Sequence, residues 1–184
     1  IEKTADLAGW KDKYGKLPKY KGIGIGIGAM ASGAKGLFKH DTSAAMIQVN
    51  VDGKASLFIG LPDMGQSSHT TMAIIAAEVL GISPMDITVI SGDTDTDPFD
   101  VGAFTQRGTF NTGNATKNAA LDARGQLSGC AASLLECEEE DLVWRGDQVY
   151  SKDSPDKKLK FRDVVDGTLN SMEGRFVMGR GFYN

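Results

Sequence analysis

Cysteine, histidine and long apolar runs are scarce in this sequence, and each scarcity removes a class of protein. Cys130 and Cys137 are its only cysteines. Seven positions apart on the helix expected below, they share a face but lie about two turns, roughly 10 Å, apart along the axis. That is too far for a disulfide within one helix. Two lone thiols suit a reducing, cytoplasmic setting and read as small buried apolar residues. The two histidines, His40 and His69, sit in loops with no metal-ligand spacing to each other or to the cysteines, so no protein-held metal site is expected. No stretch approaches the ~20 apolar residues of a membrane span, and residues 1–6 lack the pattern of a signal peptide. Positive charge is not in excess either: 20 Lys and Arg stand against 24 Asp and Glu, a formal charge of -4. Nucleic acid, which needs a basic face, is therefore not an expected partner.

What is present suffices for one sizeable domain. The 184 residues are 41% hydrophobic and 24% charged, an ordinary globular mixture that can bury a core without staples. The first residue is Ile rather than Met, as expected of a piece of something longer. Residues 1–20 predict a tail with a short helix, then a linker broken by Gly15 and Pro18; residues 21–184 form the main domain. Gly22, Gly24, Gly26 and Gly28 alternate with Ile23, Ile25 and Ile27, which predicts a strand with one bare face. A G-x-G-x-x-A nucleotide fingerprint on Gly26, Gly28 and Ala31 is rejected, because the glycines lie inside a strand pattern and no convincing helix follows.

Residues 42–50 and 55–61 predict a hairpin about Asp52-Gly53. Residues 68–80 predict a helix, capped by Ser67 or Ser68, with Met72, Ile75, Ala76, Val79 and Leu80 on one face and Gly81 as its stop. A short strand follows at 86–91. Strand, helix and strand with short links imply an α/β (α+β) fold with a mixed sheet and packed helices. Residues 92–100 carry four aspartates but fail as a calcium loop, with Pro98 where glycine is required and Phe104 where glutamate is; a solvated turn is expected. Residues 101–112 read as a polar strand or loop. A long helix then runs from about Asn114 to about Cys137, capped by Asn111 or Thr112, and its small residues Ala115, Ala119 and Ala120 permit close packing. The acidic run 136–141 ends it as a solvated face. Beyond lie a hairpin at 141–151, a charged surface loop at 152–160, an amphipathic helix at 161–169 and an unfinished strand in 174–184.

The chemistry gathers around Gly65-Gln66-Ser67-Ser68-His69-Thr70, a polar loop that opens into a helix. A helix mouth presents unpaired N–H groups and the positive end of the dipole, which suit an anion such as a phosphate. The loop at 101–114 opens into a second helix. From the residues alone, the two mouths either hold one anionic cofactor between them or are ordinary loops with ordinary caps. Nothing supports a Ser/His/Asp arrangement or a nucleophile elbow, and His69 reads as a first-turn residue bonded locally rather than a general base.

Several ordered motifs resemble those of the molybdenum hydroxylases, the xanthine dehydrogenase, aldehyde oxidoreductase and hydroxybenzoyl-CoA reductase family. They are the Gly65–Thr70 loop with Ile75-Ala76-Ala77-Glu78-Val79-Leu80-Gly81-Ile82, the stretch Ile87-Thr88-Val89-Ile90-Ser91-Gly92-Asp93-Thr94-Asp95, then Gly102-Ala103, Arg107 and Thr112-Gly113-Asn114-Ala115. Gly9-Trp10 and Lys21-Gly22-Ile23-Gly24 fit the same order, so the resemblance covers roughly residues 8–135. It implies the second molybdopterin-binding domain of the large subunit. It places Gly65, Gln66 and Ser67 against the pterin and the metal's oxygen ligands, and Thr105, Gln106, Arg107, Thr109 and Thr112 at its phosphate or cytosine dinucleotide. Gln66 can donate and accept, and Arg107 can bond a phosphate bidentately. Molybdenum would be held by pterin sulfurs rather than by the protein. The expected partners are the remainder of the molybdenum subunit and iron–sulfur and FAD domains or subunits.

Two departures qualify the match. Ser67 stands where the family has glycine. The family's catalytic glutamate lies in a glycine-flanked motif late in the subunit, which Glu173 before Gly174 does not reproduce, and its first cofactor loop has no counterpart here. No catalytic residue is assigned; a fragment or one chain of a split subunit, inactive by itself, is expected. The rival is a scaffold domain that keeps the fold without the cofactor.

Overall fold

The computed structural model describes residues 1–36, 38–171 and 174–184, so Glu173 lies outside the described residues. The chain forms two compact units, Ile1–Ala31 and Ser32–Asn184.

In the first unit, α1 (Glu2–Ala8) and α2 (Trp10–Lys13) meet at Gly9, which takes φ 66° and returns its N–H to the carbonyls of Ala5 and Asp6. The rings of Trp10 and Tyr14 stack at 4.7 Å. The glycine–isoleucine strand expected at 21–32 does not form, and Ile25 and Ile27 are 46% and 72% exposed. A period of two says which side chains would share a face, but it supplies no ladder. Without one, a glycine-rich backbone has nothing to offset its entropy.

The second unit is built on a four-stranded mixed sheet: β1 (Ser43–Val49), β2 (Ala55–Ile59), β3 (Ile87–Ile90) and β7 (Met178–Tyr183), in the order β3-β2-β1-β7. β1 and β2 form the expected hairpin, with Ala45 opposite Ile59, and alternate residues of each are buried. β3 joins β2 in parallel after a crossover through α3 (Ser68–Leu80) and a 3-10 turn at Pro84–Asp86. The expected unfinished strand in the tail is β7, which pairs antiparallel with β1.

The long helix α4 (Arg107–Leu135) lies on the sheet. Contact is closest at β7, where Gly179 and Gly181 leave no room for a Cβ beside the backbone of Ala115, Ala119 and Ala123. The small residues expected to allow close packing do so here.

Three sequence expectations need correction. α4 begins seven residues before Asn114, because its first turn is polar and fixed by tertiary contacts, so Asn111 and Thr112 are helical rather than caps. It ends at Leu135, where Glu136 turns left-handed at φ 56°; the two free cysteines are therefore not on one helix face. Residues 152–160 are not simply a loop: Ser154–Lys160 is β6, the third strand of an antiparallel sheet with β4 (Leu142–Arg145) and β5 (Gln148–Ser151). It escapes a hydrophobic pattern because, apart from the half-buried Leu159, its residues are exposed, with the charge and proline typical of a protected edge. Helix α5 (Phe161–Asn170) then buries Phe161, Val164 and Val165 as its spacing predicts. Among the described residues, no helix is long and apolar enough to cross a membrane.

Candidate functional site

Helices α3 and α4 run side by side in the same direction. A Cβ on Gly113 would meet the side chains of Ile75 and Met72, Thr116 Oγ1 lies 3.6 Å from Met72 Sδ, and farther along Arg124 donates to the Val79 carbonyl. The two N-termini therefore open at the same end of the sheet. Both lie against the chain just beyond β2: the Leu61 side chain is what a Cβ on Gly108 would touch, the Leu61 carbonyl accepts from Ser91 Oγ at 2.9 Å, and Ser68 Oγ, at the start of α3, donates to the Pro62 carbonyl at 3.2 Å. Loops 60–67 and 91–106 share this end, and loop 32–42 joins them through Asp41.

The first loop is organised by its own side chains. Gln66 accepts from Met64 N–H at 2.6 Å and donates to the Pro62 carbonyl at 2.9 Å and to Ser68 Oγ at 3.2 Å. Gly65 is exposed at φ 105°, with open space where a side chain would be. Ser67 occupies the N-cap position of α3 but is left-handed, φ 57°, and makes no side-chain cap. The anionic partner of the helix mouth is Asp63, which accepts from Gly65 N–H at 2.8 Å and His69 N–H at 3.4 Å. The Gly65 bond is the main reason its carboxyl lies below the ordinary 3.8; desolvation opposes it, and His69 and Ser67 add smaller lowering contributions. Any stability Asp63 contributes to the loop is complete above that ordinary value and is lost as pH falls through the lower folded value. In an NMR titration, the Gly65 and His69 amides should shift together with a midpoint below 3.8; independent midpoints would contradict the shared carboxylate.

The second loop ends in two successive left-handed residues, Thr105 at φ 46° and Gln106 at φ 54°, the second being the N-cap of α4. Thr105 is held by its carbonyl, which accepts from Gly33 N–H at 3.0 Å. Its Oγ1 is buried without a hydrogen-bond partner among the described residues.

Arg107, the first residue of α4, points inward with its side chain fully buried between two carboxylates. Nε donates to Asp41; Nη1 donates to Asp100 Oδ1 at 2.6 Å and the Gly102 carbonyl at 2.7 Å; Nη2 faces Ser43 Oγ at 2.7 Å and the carbonyls of Asp41 and Thr42 at 3.0 and 3.1 Å. Thr112 Oγ1 donates to Asp100 Oδ2 at 2.7 Å, and Asn111 donates to the Asp41 carbonyl. Burial raises the Asp41 carboxyl, but the Ala34 N–H and then Arg107 outweigh it and hold the group below its ordinary value.

Over residues 1–184 the sequence matches the molybdopterin cofactor-binding domain family. The chain belongs to that family. The carbon monoxide dehydrogenase large chain of Afipia carboxidovorans is 32% identical over 165 residues, 86% of this chain and 20% of that protein. The nicotine 6-hydroxylase large subunit of Paenarthrobacter nicotinovorans is 34% identical over 143 residues, 72% and 17% of the two. Among solved structures, quinoline 2-oxidoreductase from Pseudomonas putida 86 matches with a TM-score of 0.70 and 27% identity, covering 78% of this chain and 19% of that one. The Cu,Mo-CO dehydrogenase in its carbon monoxide reduced state gives 0.72 and 28%, covering 84% and 20%. The chain thus spans about a fifth of the length of these relatives.

In this molybdopterin-binding domain, the residues singled out by the resemblance divide in two. Gly65, Gln66 and Ser67 are exposed at the mouth of α3, Gln106 and Thr109 are exposed at the mouth of α4, and Thr105 is half-buried beside them. Arg107 and Thr112 are turned inward, and all five guanidinium hydrogens of Arg107 have protein acceptors, which leaves none for the expected bidentate phosphate bond. Sequence reasoning missed Asp41, Ser43, Asp100 and Asn111. The one signal was an arginine in an otherwise uncharged stretch seven residues after the last of the aspartates.

Proposed function

We propose that this domain holds the molybdopterin of a xanthine dehydrogenase-like molybdenum oxidoreductase where α3 and α4 begin. The observation that carries the reading is the parallel packing of the two helices, which directs two sets of N-terminal N–H groups toward one end of the sheet. Gly65, Gln66 and Ser67 take the pterin side; Thr105, Gln106 and Thr109, with the amides of α4, take the phosphate or its cytosine dinucleotide extension. The residues fit such a group: Thr105 Oγ1 is a buried hydroxyl with no partner among the described residues, and Gly65 leaves its face open. When bound, the cofactor supplies the redox chemistry at a molybdenum held by its own sulfurs. This chain's residues bind and orient it.

The whole enzyme hydroxylates, or reductively dehydroxylates, a carbon centre. The remainder of the molybdenum subunit supplies the catalytic glutamate, and iron–sulfur and FAD groups on other domains or subunits carry the electrons, in the cytoplasm. Membership of an enzyme family favours this over a scaffold role. In the full-length subunit, Gln66→Ala should lower molybdenum and pterin per polypeptide roughly tenfold, the scale seen when groups supporting a bound metal are removed. The melting temperature of the cofactor-free protein should stay nearly unchanged, since Gln66 is exposed. Full retention of cofactor would remove Gln66 from the site.

A further inference from the structure

The segment 104–107 combines three features. Thr105 and Gln106 are consecutive non-glycine residues with positive φ, a conformation that L side chains rarely adopt and that persists only where its surroundings impose it. Both neighbours of the pair are tied down: Arg107 N–H donates to the Phe104 carbonyl at 3.1 Å, and the Arg107 side chain returns to the Gly102 carbonyl at 2.7 Å. The anchor is itself fixed at the start of β1, an inner strand of the sheet, since Asp41 and Ser43 lead into β1 while Asp100 bridges to Ser43. One guanidinium thereby joins loop 32–42, the start of β1, loop 91–106 and the first turn of α4.

We infer that the Asp41–Arg107–Asp100 clasp is a positioning device that imposes the left-handed conformation of Thr105 and Gln106 and so sets the cofactor-binding loop at the mouth of α4. Arg107 acts through that loop and not by touching the phosphate. The inference rests on the cofactor reading above, with one consequence independent of cofactor. Lysine keeps the charge of Arg107 but offers three donors in place of a planar fork, so it cannot reach Asp41, Asp100 and the Gly102 carbonyl together.

The test uses the full-length subunit. Arg107→Lys should retain molybdenum and pterin roughly tenfold less well, and in its cofactor-free form amides at 102–107 should exchange faster than in the unaltered protein, because the loop is no longer held. A direct phosphate contact predicts otherwise: lysine largely suffices and exchange at 102–107 stays unchanged. That result overturns the clasp. If Gln66→Ala depletes cofactor while Arg107→Lys does not, the clasp fails and the site stands; if neither does, the site itself fails. Hydrogen exchange on the unaltered, cofactor-free protein needs no variant to fold. Amides at 102–107 should exchange much more slowly than in an unstructured peptide, and exchange at the unstructured rate would overturn the clasp.

Discussion

Gly181→Ala should be among the most damaging single methyl additions in this domain. A Cβ there would lie 2.2 Å from the Ala115 carbonyl oxygen and 2.3 Å from the Ala119 nitrogen. These are backbone atoms of a 29-residue helix, so no side chain can rotate aside, and α4 or β7 must move as a body. Overpacking with flexible neighbours costs about 1–3 kcal/mol; against backbone the cost should exceed about 3 kcal/mol, a large part of the ~5–15 kcal/mol that holds a domain together. Gly125→Ala is the control on the same helix. Nothing lies within 4 Å of its Cβ position, so replacing an exposed mid-helix glycine should stabilise by roughly 0.5–1 kcal/mol. Urea denaturation of the two variants should move the midpoint in opposite directions. Equal, small shifts would show that the helix–strand contact is looser than described.

Arg107→Met should cost about 3–5 kcal/mol, the usual result of leaving a buried charge without its partner. Two carboxylates are stranded, since Arg107 pairs with both Asp41 and Asp100. The loss should also depend on pH. In the parent protein the Asp41 carboxyl is lowered from 3.8, burial being outweighed by the Ala34 N–H and Arg107. The unfolded state then binds more protons, and this group's stabilisation is present above 3.8 and disappears as pH falls through the lower folded value. Without Arg107, burial loses its main charged opponent and the Asp41 carboxyl should rise. Stability of the variant then improves as the carboxyl is protonated. The gap between parent and variant should therefore narrow on going from about pH 7.5 to about pH 4. A gap independent of pH would mean that lost packing, not stranded charge, dominates.

Much of the fold was legible because local signals and tertiary needs agree. The alternation of 43–49, the Asp52-Gly53 turn and the 68–80 periodicity each describe an element with one buried face. β6 and the first turn of α4 were not legible for the opposite reason: β6 buries little, and in 107–113 the enclosed residues are Arg107, Asn111, Thr112 and Gly113 while the one large apolar residue, Phe110, is exposed. The isoleucine run shows the converse error, a strong period with no partner strand. At the site, the ordered motifs identified the right loops but could not say which side chains face outward. Arg107 and Thr112 were expected at the same phosphate as Gln106 and Thr109, yet the start of α4 turns the first pair into the protein and leaves the second pair exposed.

The sequence alone determined the α/β class, the two helix-opening loops and the family to which those loops belong. These follow from short-range periodicity, turn chemistry and ordered motifs, all of which are local in the chain. The tertiary structure decided that the two helix mouths open at one end of the sheet. It also showed that Asp41, distant from Arg107 in sequence, joins Asp100 in enclosing the guanidinium. A buried charge takes partners wherever the fold brings carboxylates within reach, and that neighbourhood exists only after the sheet and α4 have packed.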